Sequence, residues 1–437
     1  MEKDTVYYIW LSLACGPVST APPKLFSHYD DAYSIYNADD EEIRSLDFLS
    51  DVQKSALCNK DLDNARSIIK FCIKNKIGLL SIHDKLYPTR LRRIDSPPVI
   101  LYYKGILPDF DNTVCIAMVG TRHATNSGRR AAYNISRDLT FAGAVTVSGM
   151  ALGIDSLVAK GAIDVGGHTV AILGCGIDVV YPPQHEDLMN RITISGTVMT
   201  EYPPHTEPKG YNFPQRNRII SGLCQGTVVV EGDFKSGALI TAKHALVQGR
   251  DIFAVPGDIY SPMSYAPNSL LKNGARLVTC AEDILTEYIA AYPFTLDLER
   301  MKRMRKQIFE TDDHVFLPRK VASPHPEETG FYNRDSSSES IHRVDEKKEK
   351  KKILKFLGKK SEIEPESKPD NTVISKKLDT MTDTDRKVFA KLKGDSGVTV
   401  DDLCSEDMSA SDILTSLTML EIEGLIEAMP GGYYKRK

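Results

Sequence analysis

Apolar positions recur at helical spacing twice in the first eighty residues, in YYIWLSLA (7–14) and in DNARSIIKFCIKNKIGLL (63–80). Turn-rich breaks at Cys15-Gly16-Pro17 and Ala21-Pro22-Pro23 separate them. A strand-like run, Gly78 to Ile82, precedes Tyr87-Pro88, and Ser96-Pro97-Pro98 leads into VILYYKG. From Asn112 the pattern changes. Short β-branched runs, TVCIAMVG, AVTVSGM, HTVAILGCG, GTVMTEYP, GTVVVEG and DIFAVPG, alternate with amphipathic helical stretches. Continuous apolar strands of this length predict a parallel sheet covered by helices on both faces. The expected fold is therefore α/β, a Rossmann-like doubly wound and mostly parallel sheet, preceded by a helical N-terminal region.

From Phe294 to Leu378 the chain turns charged and serine-rich, with DSSSES and DEKKEKKK, the composition of a flexible linker. The last sixty residues predict a small winged helix. Its helices fall at Thr382 to Lys393, after Val398-Thr399-Val400, and at Ser409 to Glu423, with an apolar face of Ile413, Leu414, Leu417 and Leu420. A hairpin, Leu425-Ile426 and Tyr433-Tyr434, flanks Pro430-Gly431-Gly432. The third helix carries Asp412 and Glu421 and no Lys or Arg, which favours a protein-contact or regulatory module over a reader of the major groove. The expected division is 1–80, 81–293, 294–378 and 379–437.

A chain of 437 residues with formal net charge −4 is not coated in positive charge, so any nucleic-acid site must be local. No apolar run is long enough to span a bilayer, and MEKDTVYYIW lacks the order of a signal peptide. The eight cysteines are scattered without a CxxC pair and read as reduced small hydrophobes. A cytoplasmic protein without a metal or cofactor is expected.

The glycines collect where the strands end, which is where ligands sit in such sheets. Gly120-Thr121-Arg122 ends the first central strand, and a glycine there lets successive N–H groups approach an anion. Arg122 adds a planar fork suited to phosphate oxygens. Four similar loops follow: Ser148-Gly149 with Gly153-Ile154-Asp155, Gly174-Cys175-Gly176, Phe213-Pro214-Gln215-Arg216-Asn217-Arg218, and Glu231 with Ser236-Gly237. Each alone reads equally well as a turn or helix cap. Five on one predicted edge point to a binding site. Val179 occupies the third position of a dinucleotide fingerprint, and no GxxxxGK[ST] loop exists, so neither of those sites is expected.

VGTRHATNSG, SGMALGID, LGCGIDVVYP, FPQRNRIISG, VVVEGDFKSGALITAKHA, GRDIFAVPGDI and NSLLKNGA, in this order, resemble the DNA-processing protein A (DprA, or Smf) family. The N-terminal helices resemble its SAM-like domain more loosely, and the tail resembles its winged helix. The resemblance implies a non-enzymatic, homodimeric mediator that binds single-stranded DNA and loads the RecA recombinase during natural transformation. Carried over, Gly120, Thr121 and Arg122 grip phosphate, with Ser148, Gly149, Gly174, Gly176, Asn217, Ser236 and Gly237 in the neighbouring loops. Lys209, Arg216 and Arg218 extend a basic track, and Lys235 and Lys243 are weaker candidates. Phe213 stacks on a base or only packs the core. Leu270-Leu271 serves a dimer or is buried in the monomer. The competing reading is a nucleotide-binding or phosphoribohydrolase-like enzyme. It lacks the PGGxGTxxE pattern and has Glu231 as its one carboxylate candidate, while His123, His168, His185 and His244 show no evident partners.

Overall fold

The structure, a computed structural model, describes residues 4–311 and, near the C-terminus, 383–392, 398–403, 413, 416–417, 420, 425–429 and 433–436. These fall into two compact units.

The first unit opens with six helices, α1 (Thr5–Cys15), α2 (Ala21–Leu25), α3 (Ala32–Asn37), α4 (Asp40–Ser45), α5 (Asp51–Cys58) and α6 (Asp63–Lys74). The two periodic stretches are α1 and α6. Ser50 and Gln53 form a reciprocal capping box that starts α5. The apolar stripe of α1, with Ile9, Trp10 and Leu11 buried, shares one continuous core with the sheet that follows, so packing does not break at residue 80.

That sheet has nine strands: β1 (Gly78–Ser81), β2 (Ile100–Gly105), β3 (Cys115–Val119), β4 (Val145–Ser148), β5 (Thr169–Ile172), β6 (Thr197–Thr200), β7 (Gly226–Val229), β8 (Asp251–Ala254) and β9 (Arg276–Leu277). Their spatial order is β1-β2-β6-β5-β4-β3-β7-β8-β9. β3 to β9 pair in parallel, and β1 and β2 add an antiparallel edge. All six β-branched runs after Asn112 are strands.

The chain winds outward from β3 through β4 and β5 to β6, then returns across β3 to β7. That reversal opens a crevice beyond the carboxyl ends of β3, β4 and β7. The connecting helices are α7 (Thr89–Arg92), α8 (Asn126–Phe141), α9 (Ile154–Ile163), α10 (Glu186–Ser195), α11 (Asn212–Gly222), α12 (Gly237–Val247), α13 (Tyr265–Lys272) and α14 (Ala281–Leu285). α9, α11 and α12 begin at the crevice.

The charged spacer does not begin at residue 294. Leu298–Thr311 forms a helix, α15, that packs on α8. Met301 is fully buried, and Arg305 Nε lies 2.6 Å from the buried carboxylate of Asp138. Three residues apart, Met301 and Met304 make an apolar seam inside a charged stretch. Residues 312–378 of the expected spacer lie outside the described residues.

In the second unit, α16 (Asp383–Lys391) and α17 (Val400–Leu403) pack with Ile413, Leu417, Leu420 and the hairpin of β10 (Ile426–Met429) and β11 (Tyr433–Arg436). Leu414, Asp412 and Glu421 lie outside the described residues.

Candidate nucleic-acid interface

A cavity of about 370 Å³ occupies the crevice, and loops from four strands line it. Gly120 follows β3. A Cβ there would meet Ile154 and the Glu231 carbonyl, so only glycine lets these three segments converge. Thr121 N–H donates to Glu231 O at 2.8 Å, and Ile154 N–H donates to Thr121 O at 3.2 Å. The two bonds hold the loop between β7 and α9. Arg122 projects from it into solvent, its guanidinium carbon 5.9 Å from the centre of the Phe213 ring. It forms no ion pair among the described residues.

The loop after β4 forms the floor. Ser148 hydroxyl is turned inward and donates to Met118 O at 2.7 Å. Gly149 N–H and Ala151 N–H donate to one oxygen of Asp155 at 3.1 and 3.4 Å. Gly149 leaves room for Asp155 and for the guanidinium of Arg216. Arg216 in turn donates to Gly149 O at 3.0 Å and to Ile172 O. Both charged side chains are buried, and each is perturbed mainly by that burial. The carboxyl of Asp155 is pushed up and the guanidinium of Arg216 pushed down, each partly offset by the other's charge. Arg216 therefore lines the cavity as a fixed structural cation. Asp155 lies in the expected Gly153-Ile154-Asp155 loop, but it was not among the residues expected to contact DNA.

Gly174 gives space to Phe213, whose ring would lie 2.9 Å from a Cβ there. Asn212 Nδ2 ties the two loops by donating to Gly174 O at 3.0 Å. Gly176 faces away from the cavity, against Asp178 and the backbone of Pro203 and His205. Phe213 is half-buried, with Tyr181 at 5.2 Å and the guanidinium groups of Arg122 and Arg216 each at 5.9 Å from its centre. Asn217 lines the wall and receives a hydrogen bond from Arg216 Nε at 3.3 Å.

After β7, Ser236 caps α12 by accepting from Ala238 N–H at 3.3 Å, and Gly237 starts the helix without steric demand. Lys235 lines the cavity and is exposed. Lys209 is exposed just before the rim residue Gly210, while Lys243 is exposed on α12 outside the cavity.

Arg218 does not extend the basic track. It is buried, with both terminal nitrogens on Glu201 and Nε on Ser96. Glu231, the carboxylate of the enzymatic reading, accepts from Thr125 N–H at 2.9 Å and from its hydroxyl at 2.5 Å, at the start of α8. Three histidines also have settings that sequence did not show. His168 bonds to Thr197 and His185 to Met150 O, while His123 lines the cavity. Leu270 is fully buried within the monomer, and Leu271 is partly buried against the same core.

Comparison with known proteins settles the family. The family model described as DNA recombination-mediator protein A matches residues 78–289, and the DprA winged helix domain matches residues 374–432. The DNA processing protein DprA of Streptococcus pneumoniae is 40% identical over 213 residues, 49% of this chain and 75% of that protein. DprA of Bacillus subtilis is 38% identical over 211 residues, 48% of this chain and 71% of that one.

The chain belongs to the DprA/Smf family.

The X-ray structure of S. pneumoniae DprA superposes with a TM-score of 0.58 at 32% identity, covering 65% of this chain and 99% of that one. The family is described as recombination mediators and DNA processing proteins, and the DprA winged helix domain falls in the C-terminal unit. Among the described residues no helix is long and apolar enough to cross a membrane.

Proposed function

We propose that the crevice binds the sugar-phosphate backbone of single-stranded DNA, and that the protein is a non-enzymatic mediator. In this reading it holds incoming strands in the cytoplasm as a homodimer and loads RecA during natural transformation. The observation that carries the reading is Arg122. A solvent-facing guanidinium that forms no ion pair among the described residues stands on a loop held by backbone hydrogen bonds, at the mouth of a cavity that Lys235 also lines. Ser236-Gly237 at the start of α12 and the exposed Lys209 continue the same rim. The family's description as recombination mediators supports the assignment. So does Glu231, whose carboxylate is engaged by Thr125 at a helix start and does not line this cavity.

The test is binding of a fluorescent oligo-dT by wild type and by Arg122→Ala across a salt series. Salt-sensitive binding by wild type, with a clear loss and a shallower slope in the variant, is expected. Binding of a mononucleotide in preference to the oligonucleotide, or release of free base from a nucleoside monophosphate, would overturn the reading. RecA loading is then read as faster RecA assembly on strands already coated by the protein.

A further inference from the structure

A second, smaller cavity adjoins the crevice and differs from it in chemistry. It measures about 40 Å³, opens to solvent and shares Arg122, Ala151 and Phe213 with the larger one. Its remaining walls are Gly149, Leu152, Tyr181 and Pro182, none of them charged. The large cavity carries Arg122, Arg216 and Lys235 together with Asp155 and Asp233, whereas Arg122 is the one charged residue on the notch. Phe213 forms the partition between them.

Three observations make the notch a built feature. Leu152 is 44% exposed, so its apolar side chain is presented to water instead of the core. It sits on a loop with two left-handed residues, Met150 at φ 56° and Gly153 at φ 79°. A side chain at Gly153 would run into the carbonyls of Thr121 and Arg122, so the Leu152 loop is locked directly beneath the Arg122 loop. Phe213 itself is already flanked by Tyr181, Arg122, Arg216 and Gly174. The surface still open to a planar group is the outer face made by exposed Leu152 and half-buried Tyr181, Pro182 being buried.

We infer that one nucleobase of the bound strand rests over the mouth of this notch, against Tyr181 and Leu152, while the adjoining phosphate lies at Arg122. The inference rests on the reading of the crevice as a single-strand site. It assigns base contact to Tyr181 and Leu152, and it makes Phe213 a divider and support. Contact of this kind accepts any base, because every base has a π-face.

The experiment compares a 15-nucleotide oligo-dT with an abasic phosphodiester of the same length, on wild type, Tyr181→Ala, Tyr181→Phe and Leu152→Ala. Wild type is expected to favour oligo-dT over the abasic polymer by about tenfold, the scale of one stacked base. Tyr181→Ala removes most of that preference and leaves affinity for the abasic polymer unchanged, while Tyr181→Phe retains it. Leu152→Ala lowers it by a few fold, and its exposure makes the substitution safe for folding. An unchanged preference in both alanine variants would overturn the notch while leaving the single-strand site standing. Wild type that binds neither polymer would overturn the reading of the crevice itself.

Discussion

Arg218 and Glu201 form a bidentate ion pair, Nη1 to Oε1 and Nη2 to Oε2 both at 2.6 Å, with side chains only 4% and 5% exposed. Ser96 accepts from Arg218 Nε through both its carbonyl and its hydroxyl, at 3.0 and 3.1 Å. The guanidinium thus pins the segment before β2 and the end of β6 to α11. Removing one partner strands a buried charge, so Arg218→Ala is expected to cost about 3–5 kcal/mol of stability. Glu201→Gln should also destabilise, whereas joint replacement by Met and Leu should cost less than either single change. Urea denaturation measures all three. A variant that keeps full stability but loses DNA binding would return Arg218 to the basic track.

Gly153 tests the backbone of the site apart from its cations. Its φ of 79° is left-handed, and a methyl group would strike the carbonyls of Thr121 and Arg122. Strain alone makes Gly153→Ala cost about 1–2 kcal/mol. Gly166 is the control, with φ 66° and open space around it. Both variants should lose some stability, but only Gly153→Ala should weaken oligonucleotide binding, because only it displaces the Arg122 loop. Equal affinity in the two variants would detach that loop from binding.

The strand ends and their glycines were legible because a parallel sheet buried on both faces writes continuous apolar runs, and its loops must then carry the special residues. The direction of the arginines was not legible. α11 buries Asn212, Arg216, Arg218, Ile219 and Ile220, so it is covered on more than one side. No 3.6-residue stripe separates its inward from its outward positions. Glu201, which decides where Arg218 points, lies at the end of a different strand, and one sequence does not record that pairing. α15 was concealed differently. Met301 and Met304 are set among Glu299, Arg300, Lys302, Arg303 and Arg305, and the charges outweighed the two apolar residues.

His168 provides a pH test. Burial holds its pKa down to about 4 from an ordinary 6.5, so the fold favours the neutral ring. Thr197 hydroxyl donates to Ile106 O and is left to accept from His168 Nε2–H, the contact being 3.1 Å. A lowered folded-state pKa gives stability that is present above pH 6.5 and lost as pH falls towards 4. After allowance for partial exposure, about 1–2 kcal/mol should be lost in that window. His168→Gln keeps a donor for Thr197 and removes the titration. Its stability should fall less than that of wild type between pH 6.5 and 4, while carboxylates common to both proteins cancel. Parallel pH profiles would remove His168 from the acid response.

α15 carries the folded unit past residue 294. Met301 is fully buried in the core that includes Leu139 and Ile284, and Arg300 stands 4.6 Å over the Phe141 ring. Asp138, fully buried, accepts from Arg137 on its own helix and from Arg305 across the contact. In the full chain, Met301→Ala should cost about 2–5 kcal/mol by opening a cavity. Arg305→Ala should cost less, about 1–3 kcal/mol, because Arg137 still serves the carboxylate. Asp138→Asn combined with Arg305→Ala should fall short of the sum of the two single changes, since the residues share one interaction. Denaturant midpoints measure each. If residues 294–311 were a solvated spacer, Met301→Ala and Arg305→Ala would both lie within about 0.5 kcal/mol of wild type.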